Sequence, residues 1–371
     1  MLPSDGAPVL VAAGGTGGHL FPAEALAAAL IKRAISVHLV TDRRAAHFGG
    51  GFGDDTIHVV ASATLRGRSP LSVARTAAAL GLGLAQSWAL IGRLKPAAVV
   101  GFGGYPTVPP VLASVWRGLP TLIHDANAVL GRANRFLAPR VTAIATTFPN
   151  ILRDTPELGA KATLTGNPVR PAVVAAAATP YPAVGDILRL LVFGGSQGAR
   201  IMADVIPAAI SLLEPALRGR LAIAQQTREE DLQRVRSAYS GLALSAEVAP
   251  FFADLPARMA AGHLVIARSG AGTVAELSAI GRPAILVPLP HAIDQDQLAN
   301  AGVLERSGAA IRLVQKEFTP QRLADEITAL AAAPQRLQDM AAAARSLGRR
   351  DAADRLAELV LQVAGINSKN L

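Results

Sequence analysis

The sequence contains no cysteine, which removes disulfides and thiolate metal sites and suits a reducing compartment. Aromatic residues make up only 4% of its 371 positions, too few for the stacking platforms of a single-strand binder. Neither a dense arginine and lysine tract nor zinc-finger spacing occurs, so no nucleic acid partner is expected. Long unbroken apolar runs are also missing. The uncharged stretch 76–92 contains Gly81, Gly83, Gln86 and Ser87 and is shorter than the roughly 20 residues a membrane span needs. A second stretch, 96–116, is broken by Pro106, Pro109 and Pro110, so neither is expected to cross a bilayer. Residues 1–8 lack the basic segment of a secretion signal and lead directly into an apolar run, which places the chain inside the cell.

What is present is a basic, hydrophobic chain. Thirty-six basic against 27 acidic residues give a net charge of +9, which favours anionic partners such as phosphates or an acidic membrane surface. The length and a 51% hydrophobic content fit two domains of ordinary size.

Two glycine-rich turns support that count. Gly14-Gly15-Thr16-Gly17-Gly18 and Gly194-Gly195-Ser196-Gln197-Gly198 each follow an apolar run, 9–13 and 190–193, of the kind a strand buried on both faces requires. Each also precedes a helix-like stretch; the first is read as 22–30, with a strand at 37–40. Further short strands are expected at 97–100, 120–123 and 141–144, then at 221–224, 264–267 and 284–287. The fold class is α/β, with parallel, doubly wound sheets that bind ligands where their strands end. The segment 166–186, with Pro168, Pro171, Pro180 and Pro182, reads as the connection, giving domains 1–167 and 168–349. An amphipathic tail, 351–365, is free to pack back on either one.

A glycine loop entering a helix presents backbone amides and the positive end of the helix dipole to anionic oxygen. A dinucleotide fingerprint needs a third glycine or alanine where this chain has Leu20, and the second loop lacks its middle glycine. Asp42, after the second strand, keeps that alternative open. A third cluster, Gly101 to Thr107, lies behind another strand, so it and the first loop either cradle a diphosphate or serve only as tight turns. In Arg268 to Leu277, Thr273 and Glu276 share a helical face. Glu276 there either accepts hydrogen bonds from ribose hydroxyls or acts as capping-box partner to an N-cap at Ser269 or Thr273.

GGTGGH at 14–19, GFGGYPT at 101–107, GNPVR at 166–170, GGSQGA at 194–199 and SGAGTVAE at 269–276, in that order, resemble the MurG family of peptidoglycan glycosyltransferases. The resemblance covers nearly the whole chain. It implies a GT-B fold, two Rossmann-like domains facing each other across a cleft, with UDP-N-acetylglucosamine mainly on the C-terminal domain and an undecaprenyl-diphosphate acceptor on the N-terminal one. It further implies that Thr16, Gly17 and Gly18 approach the donor sugar and that Asn127 hydrogen-bonds it. Arg170 and Ser196 would meet the diphosphate, Phe252 would present its backbone to uracil, and Gln297 would reach the sugar hydroxyls. Ala271, Gly272, Thr273, Val274, Ala275 and Glu276 would hold phosphate and ribose. Gly103, Gly104, Tyr105 and Asp125 fall to the acceptor. The family often has glutamate and glutamine where this chain has Asp125 and Ala126, and its segment around Gln297 varies.

The implied reaction is an inverting displacement. The muramoyl 4-hydroxyl of lipid I attacks the anomeric carbon, UDP leaves, and lipid II forms. His19 is the candidate base, because imidazole titrates near neutrality; a role in orienting the loop or binding acceptor phosphate stays open for it. No cofactor and no metal is expected, since the Asp294-Gln295-Asp296 triplet lies outside the motif context of metal-using transferases. Leu65, Leu71, Leu80, Leu82, Leu84 and Trp88, among Arg66, Arg68, Arg75, Arg93 and Lys95, read either as an anionic-membrane contact or as a core helix with a solvated rim. The expected location is peripheral, on the cytoplasmic face of the inner membrane, beside cell-wall synthesis proteins. A UDP-sugar epimerase and a non-catalytic sugar-nucleotide module are the alternatives on the same scaffold.

Overall fold

The computed structural model describes residues 6–14, 17–43, 52–62, 69–195, 198–244, 246–290, 292 and 294–366. The chain divides into two compact units, residues 1–170 with 351–371, and residues 171–350.

The first unit carries β1 (Val9–Ala12), β2 (Val37–Thr41), β3 (Ile57–Val59), β4 (Ala98–Gly101), β5 (Thr121–Asp125), β6 (Ala143–Thr146) and β7 (Ala162–Leu164). Among the described residues these form one parallel sheet in the order β3-β2-β1-β4-β5-β6-β7. Val9 pairs with Val37 on one side and Ala98 on the other, so the winding reverses between β1 and β4. β1, β4 and β6 are buried throughout, which is why they read as continuous apolar runs.

The helix after β1 runs Gly17–Ile31 and contains Pro22, so it starts five residues before the stretch that the sequence favours. Pro22 has no N–H to return to the Gly18 carbonyl, and such a residue normally marks a helix start. Its early start puts His19 in the first helical turn rather than in a loop. The helix Ala352–Ala364 packs on this same unit. Leu356 and Val360 join the core of Leu26 and Leu30, and Asp354 pairs with Arg33 at 2.9 Å.

The stretch expected to be too short and broken for a span is instead part of one continuous helix, Pro70–Leu94. By length and composition alone, 74–94 could cross a membrane. Gly83 serves packing, since a side chain there would collide with the Ala61 carbonyl, whereas one at Gly81 would meet nothing within 4 Å. Ser87 returns its hydroxyl to the Gly83 carbonyl at 2.7 Å. Leu90 and Ile91 enter the core against the sheet, so one face of the helix is committed to the unit's interior.

The second unit repeats the plan with β8 (Leu188–Phe193), β9 (Leu221–Gln226), β10 (Ala246–Ala249), β11 (Leu264–Ala267), β12 (Ala284–Leu286) and β13 (Ala310–Arg312). Their order, β10-β9-β8-β11-β12-β13, is again parallel, and the winding reverses between β8 and β11. Arg282, fully buried, donates to the carbonyls of Ala260, Ile280, Gly281, Thr179 and Pro180. Arg345 adds bonds to Ala177, Thr179 and Ile280. Carbonyls at helix C-termini are the negative ends of helix dipoles, so the two guanidiniums tie the segment 177–180 to helix ends within the second unit.

Candidate functional site

In open parallel sheets, ligands bind beyond the carboxyl ends of the strands where the winding reverses. In the first unit that place lies between the ends of β1 and β4. His19 reaches it from the first helix, its Nδ1 3.2 Å from the Gly14 carbonyl. A carbonyl can only accept, so Nδ1 carries the proton and the neutral ring has its lone pair on Nε2.

The imidazole lies against the loop after β4. A Cβ on Gly104 would stand 3.3 Å from ring atoms Cε1 and Nδ1, and one on Gly103 would stand 3.5 Å from Nε2. Both glycines have positive φ, +88° at Gly103 and +75° at Gly104, a conformation that disfavours larger residues there. Tyr105 follows in a short turn that Thr107 closes by donating to the Gly104 carbonyl at 2.8 Å. Gly17 and Gly18 open the helix itself.

His124 and Asp125 end β5. His124 is fully buried and donates Nε2–H to the Gly166 carbonyl at 3.0 Å. Burial pushes its pKa down to about 4, the Gly166 bond opposes this, and His19 adds a further lowering, so the ring is neutral near pH 7. Asp125 is only 2% exposed. Its Oδ1 accepts from the Asn127 amide at 3.0 Å, and its Oδ2 from the Gly131 amide at 2.9 Å and Asn134 Nδ2 at 3.0 Å. Burial raises its pKa, while these three donors oppose the rise. The Asp125 carboxylate thus shapes the loop that presents Asn127, which is itself half-buried. Asn134, missed in the sequence, ties this loop to β5 through the His124 carbonyl at 2.9 Å and lies 3.3 Å from where a Gly103 side chain would start.

Arg170 ends the first unit, its guanidinium 4.6 Å over the Phe21 ring of the first helix. The negative ring face attracts the cation, a tertiary contact that motif order does not reveal.

In the second unit the loop after β8 needs its glycines. Gly195 and Gly198 have positive φ, and a side chain on Gly194 would collide with the Ala199 amide. Gln226 ends β9 and bridges its neighbours: Oε1 accepts from the Gly194 amide at 3.2 Å, and Nε2 donates to the Pro250 carbonyl at 3.2 Å. This amide clamp fixes the β8 loop relative to the end of β10, where Phe252 sits buried under the Arg258 guanidinium at 4.2 Å. Phe251 beside it is 70% exposed.

After β11, the helix Ala271–Ile280 starts behind Gly270, with no side-chain cap on its amides. The capping-box alternative for Ser269, Thr273 and Glu276 is thereby removed. Ser269 instead donates to the Gln297 carbonyl at 2.8 Å. A Cβ on Gly270 or Gly272 would meet nothing within 4 Å, so the backbone here faces open space. Ala271, Gly272, Thr273 and Ala275 are half-buried, and Glu276 is 8% exposed. The Val274 side chain is fully buried, and its amide donates to the Gly270 carbonyl at 3.0 Å. Gln297 accepts from the Leu289 amide at 3.0 Å through Oε1, which orients its side-chain amide. Buried Arg268 holds the 287–288 carbonyls at 3.0 and 2.9 Å and Gln315 at 2.6 Å; burial lowers its pKa. Thr16 and Ser196 lie outside the described residues.

On the helix Pro70–Leu94, Leu82 and Trp88 are 56% and 42% exposed, and Trp116 of a neighbouring helix is 59% exposed. Arg117 stacks 4.1 Å over Trp88. Arg75, Arg93 and Lys95 are exposed nearby in sequence, and Leu80 and Leu84 are half-buried; Leu65, Arg66, Arg68 and the side chain of Leu71 lie outside the described residues.

Comparisons with known proteins agree with this geometry. The glycosyltransferase family 28 N-terminal domain matches residues 9–146, and the family 28 C-terminal domain matches residues 189–356. A UDP-N-acetylglucosamine–N-acetylmuramyl-(pentapeptide) pyrophosphoryl-undecaprenol N-acetylglucosamine transferase of Rhodopseudomonas palustris is 63% identical, with 97% of each chain covered. The crystal structure of Acinetobacter baumannii MurG superposes with a TM-score of 0.78 at 27% identity, covering 96% of this chain and 99% of that one. A UDP-GlcNAc 2-epimerase from Neisseria meningitidis, solved bound to UDP-GlcNAc, shares the fold alone, with a TM-score of 0.67 at 13% identity over 96% of this chain and 100% of that one.

Proposed function

Since the chain belongs to glycosyltransferase family 28, with the GT-B fold of two Rossmann-like domains, we infer that it is a UDP-N-acetylglucosamine-dependent hexosyltransferase. It moves N-acetylglucosamine to the 4-hydroxyl of the undecaprenyl-diphosphate-linked muramoyl-pentapeptide, lipid I, and so makes lipid II for peptidoglycan. The observation that carries this reading is the different equipment of two like sheets. One places an imidazole at its strand-end crevice, and the other places open glycine amides beside a buried carboxylate.

The second unit takes the donor. Uncapped amides at the start of Ala271–Ile280 and the glycine loop after β8 receive the diphosphate, as helix N-termini do for anions. Glu276 accepts from the ribose hydroxyls. Among the described residues the Phe252 backbone makes no hydrogen bond, so it is available to uracil, and exposed Phe251 supplies an aromatic face for the base. Gln297 and Asn127 address the sugar.

The first unit takes the acceptor at Gly103, Gly104 and Tyr105. His19 accepts the proton of the attacking 4-hydroxyl on Nε2, and the Gly14 carbonyl holds the ring in the tautomer that leaves this nitrogen basic. The donor's anomeric C–O bond breaks as the new one forms on the opposite face, and the charge that grows on UDP falls on fixed backbone dipoles and on Ser196. Arg170, stacked on Phe21 of the first helix, offers a guanidinium to anionic oxygen of the substrates. Leu82, Trp88 and Trp116, with Arg75, Arg93 and Arg117, dock the enzyme peripherally on the anionic cytoplasmic face of the inner membrane.

One coupled assay of UDP release tests this. Release that requires both UDP-N-acetylglucosamine and the lipid-linked acceptor is the expected result. Conversion of the donor alone would mark an epimerase, and tight UDP binding without turnover a binding module.

A further inference from the structure

We propose that Arg228 is an additional donor-binding residue, whose guanidinium takes an anionic oxygen of the nucleotide's diphosphate. This rests on the second unit being the donor-binding one. Arg228 stands two residues past the end of β9, between the glycine loop after β8 and the end of β10. Gln226, by bonding both Gly194 and Pro250, makes these neighbouring strand ends one rigid rim.

The arginine stem crosses the glycine loop itself. A Cβ on Gly198 would lie 3.0 Å from Arg228 Cγ and 3.6 Å from its amide, so the bare glycine lets the side chain pass over the loop. The positive φ of Gly198, +65°, keeps larger residues out of that position as well.

The charge is loosely held. Its ion-pair partner is Glu230, at 3.7 Å, and the two side chains are 40% and 69% exposed. Two other arginines near this rim are tightly engaged: Arg234 has Asp204 and Asp231 at 2.7 and 2.6 Å, and Arg258 has Asp254 at 2.7 Å as well as Glu247; Arg200, which opens the helix after the loop, is loosely paired like Arg228, with Asp204 at 3.7 Å. An exposed pair at 3.7 Å contributes little to stability, so the geometry around Arg228 is not explained by that pair. A planar guanidinium on a stem that passes Gly198 is suited to a diphosphate, which it can engage through two parallel N–H donors.

The test is calorimetric binding of UDP and of uridine to the full chain carrying Arg228→Gln, Arg228→Lys or Arg218→Gln. Arg218 precedes β9 at the opposite end of the sheet and serves as the equal-charge control. Loss of one charge-assisted bond to phosphate weakens binding by about 10-fold or more. The expected result is that weakening for UDP with Arg228→Gln, partial recovery with lysine, unchanged uridine binding and no effect of Arg218→Gln. Equal weakening of UDP and uridine would overturn the diphosphate assignment, as would UDP affinity within about twofold of the parent. If the parent binds no UDP, it is the donor-domain reading that fails.

Discussion

The two strand-end crevices share a topology and differ in what their side chains are for. In the first unit, His19 sits in the third position of its helix, pressed against two positive-φ glycines. Counting from the first helical residue of the second unit, the same position is Met202, 1% exposed in the core. Aligning GGTGGH at 14–19 with GGSQGA at 194–199 would pair His19 with Ala199, which understates the contrast, because Ala199 is the residue before its helix. One copy turns its helix start toward chemistry, and the other turns it inward and leaves binding to backbone. A duplicated scaffold diverges most cheaply in this way, since the sheets stay intact while one helical turn changes its outward face.

The strongest way to break that contrast is His19→Ala. Turnover should fall by roughly 100-fold or more while UDP affinity, a property of the other unit, stays at the parent value. Near-normal turnover with a raised acceptor KM would instead make His19 an acceptor-phosphate ligand.

The next effect is on stability and concerns His124, which is held neutral while its unfolded counterpart titrates near 6.5. Between about pH 6.5 and 4 the unfolded chain binds more protons, so stability is full above that window and falls as pH drops through it. A shift from 6.5 to about 4 corresponds to roughly 3 kcal/mol at the acid end. Denaturant unfolding of the parent and His124→Gln across this range checks it; a parallel acid loss in both would remove His124 as the cause.

Much of this was legible in the sequence, and the exceptions have physical reasons. Two-sided burial wrote β1, β4, β8 and β11 as apolar runs. The edge-side strands β3, β7, β10 and β13 are three or four residues long and mostly half-buried or exposed, so they carry no such run. Glycines and Pro22 argue locally against a helix at Gly17, and tertiary packing overrides them. The motif residues of the site were visible, but Asn134, Gln226 and Arg228 act through long-range contacts that no local spacing encodes.

A paired glycine substitution sharpens the comparison at smaller magnitude. Gly104→Ala forces a Cβ toward the His19 ring at a positive φ and should lower both stability, by about 1 kcal/mol, and turnover, by about 10-fold. Gly272→Ala enters open space in a helical first turn and should raise stability by about 0.5–1 kcal/mol. If phosphate approaches this backbone, the same methyl weakens UDP binding. A Gly272→Ala protein that is more stable and binds UDP unchanged would take the helix start out of the donor site.

The smallest expected effect on turnover separates shaping from contact. Asp125→Asn keeps the shape of the side chain but replaces one acceptor oxygen with an NH2 group. All three groups that face the carboxylate, the amides of Asn127 and Gly131 and the Asn134 side-chain amide, are donors, so at least one N–H then meets another N–H. Leaving such a buried group unpaired costs about 1–3 kcal/mol. A residue that acts only by holding its loop should therefore lose thermal stability, with acceptor kcat/KM reduced no more than severalfold through a loosened Asn127. A residue that touches the acceptor would give the reverse, a large kcat/KM loss at unchanged melting temperature. With the carboxylate 2% exposed and all its neighbours donating into it, the first pattern is the one the geometry requires.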